Sequence, residues 1–396
     1  MNICFQNYVF RTIICSFKPI YHLSSSNKKI FVTEPLLPEL DKFLPYLQDV
    51  WDSKWLTNNG NYHQALERRL SEFLGITKCS LCCNGTMALM LGLKQLNITG
   101  EVITTPYSFP ATAHSLTWLG IEPVFCDIEL DSFNINPDLI PPLISSKTSA
   151  ILGVHVYGNP CKIDAIESIA NEYGLKVIYD AAHAFGVRYN NESILVNGDL
   201  SILSFHATKV FNTFEGGAIV MNDDVAKKEI DLLKNFGFDD ETTILLPGIN
   251  GKMNEIQAAF GLLQLLYVDE EIKCRSRVYY HYLERLINLT GIQLFEYNNE
   301  LIPNYSYFPI LIDEKIYGLS RDHIYDKLKS KGIYARRYFF PLISKLPHYS
   351  GLSSAQRDYL PVSEKVSKEV LCLPIYGNLS ELEIDMVCDI LINKAD

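Results

Sequence analysis

No apolar run in the 396 residues approaches the roughly 18 that a membrane-spanning helix needs, so no membrane partner is expected. Positive charge is also in short supply: 35 Lys and Arg face 46 Asp and Glu, a formal net charge of -11. That balance argues against a general polyanion-binding surface and hence against nucleic acid, while leaving room for a local basic pocket that takes a phosphorylated small molecule. The chain contains no GxGxxG, which removes the main sequence support for a nicotinamide dehydrogenase. Its ten cysteines form no Cys/His pattern of the zinc type, and no metal is expected. Cys82, Cys83 and Cys126 lie in apolar runs that read as buried strands, which fits a reduced, cytoplasmic setting.

What is present is enough for a large core: 47% of the residues are hydrophobic and 12% aromatic, a length and composition that suggest two domains. The opening "MNICFQNYVFRTIICSF" is apolar, but Arg11 interrupts it and no clean cleavage site follows. Residues 1–30 therefore read as a poorly ordered extension, or as sequence upstream of the true start, rather than a signal peptide. Beyond them short apolar runs alternate with helical patterns. "KCSLCC", "EVITT", "PVFCDI", "AILGVHVYG", "LKVIYD" and "LSILSF" read as strands; "TMALMLGLKQL", "ATAHSLTWLG" and "KIDAIESIANEYG" read as helices, the last closed by Gly174. The alternation predicts an α/β fold whose mainly parallel sheet is covered by helices on both faces, with ligands beyond the carboxyl ends of the strands. From "NEIQAAFGLLQLLYVDEEI" through "KCRSRVYYHYLERLI" one long connecting helix is expected. A boundary near residue 268 then divides a large domain, 31–268, from a smaller α+β domain, 269–396.

Three features fall just past strand ends. In "NGTMAL" Asn84 can cap a helix, Gly85 permits a tight turn, and free amides with the Thr86 hydroxyl make an anion site, although many ordinary capped turns look alike. In "YDAAHAFG" Asp180 is placed to accept a hydrogen bond from a protonated heterocycle with His183 close behind; the plainer alternative is a capping Asp and a core histidine. In "SFHATKVFNTFEGGAIV" Lys209 is either a solvated surface charge or a desolvated amine that attacks aldehydes. An amine, a carboxylate for a pyridinium nitrogen and a phosphate-binding helix end are together what pyridoxal phosphate requires. Phe109 in "TPYSFPATAH" can stack on such a ring or serve only as core.

These segments, with "TTPYSFPATAHSLTWLGIEPVFCDI" and "GINGKMNEIQAA" in the same order, resemble the DegT/DnrJ-type aminotransferases of nucleotide-linked sugars from about Phe31 to the C-terminus. The resemblance implies the aspartate aminotransferase fold (type I). It makes Lys209 the residue that carries pyridoxal 5'-phosphate covalently and Asp180 the partner of its ring nitrogen. His183 lies beside the ring, Phe109 stacks on it, and Gly85, Thr86 and Ser204 hold the phosphate. It also implies an obligate homodimer with shared active sites, Asn250 of "GINGK" reaching the neighbour's phosphate; Lys252 stands where the family more often has arginine. A narrower resemblance, carried by "KWLTNNGNYHQALE", "ARRYFFPL" and "VLCLPIYGNLS", points to members that aminate C4 of a dTDP-linked 4-keto-6-deoxyhexose, with glutamate as donor, for surface polysaccharide such as O-antigen. Relatives acting at C3 or on UDP sugars remain alternatives. A sugar dehydratase is disfavoured because its lysine is replaced by histidine, and a non-catalytic regulator because Asp180, Ser204 and Lys209 are all present. Arg336 or Arg337 is expected to meet phosphate oxygens and Tyr338 the sugar ring, unless "ARRYFF" is simply an exposed edge strand.

Overall fold

The computed structural model describes residues 29–393; the expected N-terminal extension lies outside them up to residue 28. Strands are numbered along the chain. β1 (Ile30–Phe31) is followed by β2 (Lys78–Cys82), β3 (Glu101–Thr104), β4 (Glu122–Phe125), β5 (Thr148–Val154) and β6 (Lys176–Asp180). A two-residue pair, β7 (Arg188–Tyr189) and β8 (Glu192–Ser193), precedes β9 (Leu200–Ser204) and β10 (Gly217–Met221). The main sheet has seven strands in the order β2-β10-β9-β6-β5-β3-β4. All neighbours pair in parallel except β10, which is antiparallel to both β2 and β9.

The parallel strands β5 and β6 are built on buried apolar runs, "AILGV" and "VIY". Apolar helix faces cover the two sides: Leu89, Leu93 and Leu116 pack on one, Ile166 and Ala170 on the other. Local signals end the elements as the sequence implies. Asn84 accepts from the Met87 amide at 2.8 Å to start the helix Gly85–Gln95, and Gly174, at φ +67°, closes the helix Ile163–Tyr173. Cys79 and Cys82, three apart on β2, are buried free thiols whose pKa burial pushes up to about 12, so they are inert packing residues.

Two expectations change. The long helix is two: Glu255–Leu265 and Val268–Leu286, broken at Leu266 and Tyr267. The first buries Ala259, Phe260 and Leu263 against Phe43, whereas the second buries Val278, Tyr282 and Leu286 in a separate core with Phe308 and Leu371. One straight rod cannot face both. The acidic run Asp269, Glu270 and Glu271 opens the second helix, where its dipole favours negative charge. The other change is at the start. Ile30, the last residue of the expected extension, and Phe31, the expected first residue of the large domain, pair in parallel with Ile333 and Tyr334 (β14, after β11 (Ile292–Leu294), β12 (Leu301–Ile302) and β13 (Phe308–Ile312)). Ile30 is buried in that core.

Candidate active site

Asp180 is the last residue of β6 and Ser204 the last of β9. Both therefore face the crevice beyond the carboxyl edge of the sheet, where helices covering the faces leave an opening. The antiparallel β10 completes the crevice. Gly217 stands opposite both Cys82 and Ser204, so the turn after β2 and the end of β9 lie side by side across a residue without a side chain. A Cβ at Gly217 would come within 2.7 Å of the Asn84 carbonyl and the Gly85 nitrogen, and one at Gly85 within 2.9 Å of the Ser204 Cβ. Gly85 and Thr86 open their helix, where first-turn amides have no preceding carbonyl to bond, and both line the space so formed together with Ser204.

A cavity of about 400 Å³ opens here, lined by Gly85, Thr86, Phe109, Asp180, His183, Ser204, Lys209, Arg336 and Tyr338 among others. Nine of the sequence-derived site residues thus converge on one space. Lys209 sits in the turn after β9, its amide donating to the His206 carbonyl at 2.8 Å. Burial pushes its pKa down to about 8, against the pull of Asp180. Burial likewise raises the Asp180 carboxyl above its ordinary value, opposed by hydrogen bonds from the Thr112 hydroxyl at 2.8 Å and the Ala182 amide at 3.2 Å and by the charge of Lys209. His183 is held neutral, chiefly by burial and then by Lys209. The Tyr157 amide donates to its Nδ1 at 3.2 Å, which places the ring proton on Nε2.

Tyr307, Arg336, Tyr338 and Phe339 supply the remaining wall. The Tyr338 carbonyl accepts from the Tyr107 hydroxyl at 3.0 Å and from Tyr157, tying this segment to the loops that follow β3 and β5. Phe339 stacks on the His183 ring, with centroids 5.9 Å apart at 5°, and Tyr307 meets it edge-on.

Two sequence candidates lie elsewhere. Arg337 turns away: its guanidinium pairs with Asp322 at 2.7 Å and stacks 4.3 Å over the Tyr325 ring. Asn250 is exposed on the loop 235–252, bridged to Asn235, and is absent from the lining of its own chain's cavity. Lys252 donates to Asn235 at 2.7 Å and lies over the Phe236 ring. Sequence reasoning missed Ser108, His206, Glu215, Tyr307 and Phe339. His206, Glu215 and Phe339 stand inside motifs already singled out, whereas Tyr307 gives no local signal. Among the described residues no cluster of His, Cys, Asp and Glu is arranged to hold a metal.

The chain is similar to known proteins over nearly its whole length. The chain is 50% identical over 371 residues to the dTDP-4-amino-4,6-dideoxy-D-glucose transaminase of Escherichia coli, spanning 93% of this chain and 100% of that protein. It is 32% identical to the GDP-perosamine synthase of Caulobacter vibrioides over 86% of this chain and 92% of that one. The crystal structure of DesI with its TDP-sugar product superposes with a TM-score of 0.89 at 35% identity, covering 93% of each chain. The shared architecture is the type I fold expected from the sequence. With residues 39–392 matching throughout, the chain belongs to the DegT/DnrJ/EryC1/StrS aminotransferase family and is a sugar aminotransferase.

Proposed function

We propose that this enzyme uses pyridoxal 5'-phosphate to move an amino group from glutamate to C4 of dTDP-4-keto-6-deoxy-D-glucose, forming dTDP-4-amino-4,6-dideoxy-D-glucose for surface polysaccharide. The observation that carries the chemistry is the meeting of Lys209 and Asp180 in one cavity beside the cradle of Gly85, Thr86 and Ser204. The near full-length similarity to the Escherichia coli transaminase supports the sugar. The residues fit the cofactor: Gly85 and Gly217, where a Cβ would collide with Ser204 and with the Asn84 turn, let the cradle close tightly, Asp180 would pair with its ring nitrogen, Phe109 would cover a face, and Lys209 would bind it covalently. When bound, pyridoxal phosphate supplies an electron-accepting ring and a carbonyl carbon that exchanges its nitrogen partner.

The protein's own groups do the rest. With its pKa near 8, Lys209 is neutral in a usable fraction at working pH, and its Nζ takes the α-proton of the amino donor. Asp180 keeps a negative charge where a ring proton must be held. Among the described residues the Arg336 guanidinium makes no ion pair and lines the cavity, so it suits the diphosphate of the sugar nucleotide. The phenol of Tyr338 borders the space for the hexose.

A homodimer is part of this reading. Phe236, Ile244, Leu245 and Ile249 are exposed on the same loop as Asn250, and an apolar patch next to a phosphate-binding candidate suits burial against a second copy. We place the enzyme in the cytoplasm: the described cysteines are all free thiols, and no described helix is long and apolar enough to cross a membrane.

Incubating the purified protein with pyridoxal phosphate, glutamate and dTDP-4-keto-6-deoxy-D-glucose tests the proposal. One 2-oxoglutarate should appear for each amino sugar, with nitrogen at C4 by NMR. An amine at C3, or turnover only with a UDP or GDP sugar, rejects the substrate assignment.

A further inference from the structure

We infer that Thr112 is a positioning residue for the proposed reaction: its hydroxyl, backed by Ser108, holds the Asp180 carboxylate ionised and in one orientation. The inference rests on reading the cavity as a pyridoxal phosphate site.

Each oxygen of Asp180 receives one hydrogen bond from the protein: Thr112 Oγ1 donates to Oδ2 at 2.8 Å and the Ala182 amide to Oδ1 at 3.2 Å. Thr112 is fully buried and is absent from the cavity lining, so it reaches a ligand only through Asp180. Having given its single proton to the carboxylate, its oxygen can only accept from Ser108 Oγ, 2.8 Å away. The chain therefore runs in one direction, Ser108 to Thr112 to Asp180, and each link polarises the next. The same turn carries Phe109, whose carbonyl accepts from the Thr112 amide at 3.2 Å. One turn thus sets both the aromatic offered to a ring face and the carboxylate offered to a ring nitrogen.

The need for such a device follows from the surroundings. Burial favours the protonated acid, and Lys209 is the charged group that opposes it electrostatically. His183, on the turn after β6, is held neutral. His206, Glu215 and Arg336 line other parts of the cavity. A protonated Asp180 would lose its pairing with a ring N–H, so a donor fixed on the carboxylate keeps the site competent toward lower pH.

Thr112→Val removes the donor and keeps the shape, Thr112→Ser keeps the donor, and Ser108→Ala removes only the backing hydroxyl. In the cofactor-loaded Thr112→Val enzyme the acidic limb of the kcat/KM profile should move up by about one pH unit, the scale of one lost charge-assisted hydrogen bond. Pyridoxal phosphate, titrated by absorbance at pH 7, should bind about tenfold more weakly. Thr112→Ser should restore both readouts, and Ser108→Ala should shift them the same way by less. A Thr112→Val enzyme with an unmoved profile and unmoved affinity overturns the inference even if it melts earlier. If that variant does not fold, an unmoved Ser108→Ala profile overturns it instead. A wild-type protein that takes up no pyridoxal phosphate overturns the underlying reading as well.

Discussion

Arg336 and Arg337 are neighbours with opposite fates, and nothing in "ARRYFF" distinguishes them. The choice is made 36 residues further on, where Arg336 and Cys372 exchange backbone hydrogen bonds in both directions. That pairing turns the Arg336 side chain into the cavity and sends Arg337 to Asp322 and Tyr325. Arg336→Ala should raise KM for the nucleotide sugar by about tenfold or more, since a charge-assisted contact to phosphate is lost. Arg337→Ala removes a partly exposed ion pair, worth at most about 1 kcal/mol of stability, and should leave KM within about twofold. Steady-state kinetics with both variants decides; equal effects would contradict the assignment. Asp180 and Ser204 stood out in the sequence because each ends an apolar run next to a recognisable turn, and Lys209 because it follows in the turn after β9. Thr112 was not, since a threonine within "ATAHSLTW" reads only as part of a helix, and its partner Asp180 is 68 residues away.

At the scale of elements, the strands and capped helices of the large domain follow from apolar runs and turn residues, but their directions do not. "GAIVM" is as apolar as its neighbours, and only the folded sheet shows that β10 runs against them. That reversal brings the Asn84 turn to Ser204, and it requires Gly217 at the crossing point. Gly217→Ala should therefore cost about 1–3 kcal/mol by overpacking and weaken pyridoxal phosphate binding by at least about tenfold, because the Gly85 amide must move. Thermal melts with and without cofactor, together with a binding titration, check this. A variant with unchanged affinity would show that the cradle is looser than its contacts indicate. The helix break at Leu266 and Tyr267 escaped the pattern because apolar spacing continues across it; the acidic run at Asp269–Glu271 was the one available sign.

In the whole molecule the cavity is walled by residues far apart in the chain. The seven-stranded sheet and its turns contribute the cradle, Asp180 and Lys209; the later stretch 307–339 contributes Tyr307, Arg336, Tyr338 and Phe339, clamped through the Tyr338 carbonyl to Tyr107 and Tyr157. Such long-range pairings carry no sequence periodicity, so this later part of the wall was legible only as a motif, while the fold class was legible from alternation. The central claim is that Lys209 anchors the cofactor through which nitrogen passes. The most direct test is the visible absorbance spectrum of the purified enzyme and of Lys209→Ala, recorded first with pyridoxal phosphate, then with glutamate, then with dTDP-4-keto-6-deoxy-D-glucose. The account predicts a lysine-bound cofactor band that bleaches with glutamate, returns with the keto sugar, and cannot cycle in the variant. A wild-type protein that develops no such band, or a variant that cycles as fast as wild type, would contradict it.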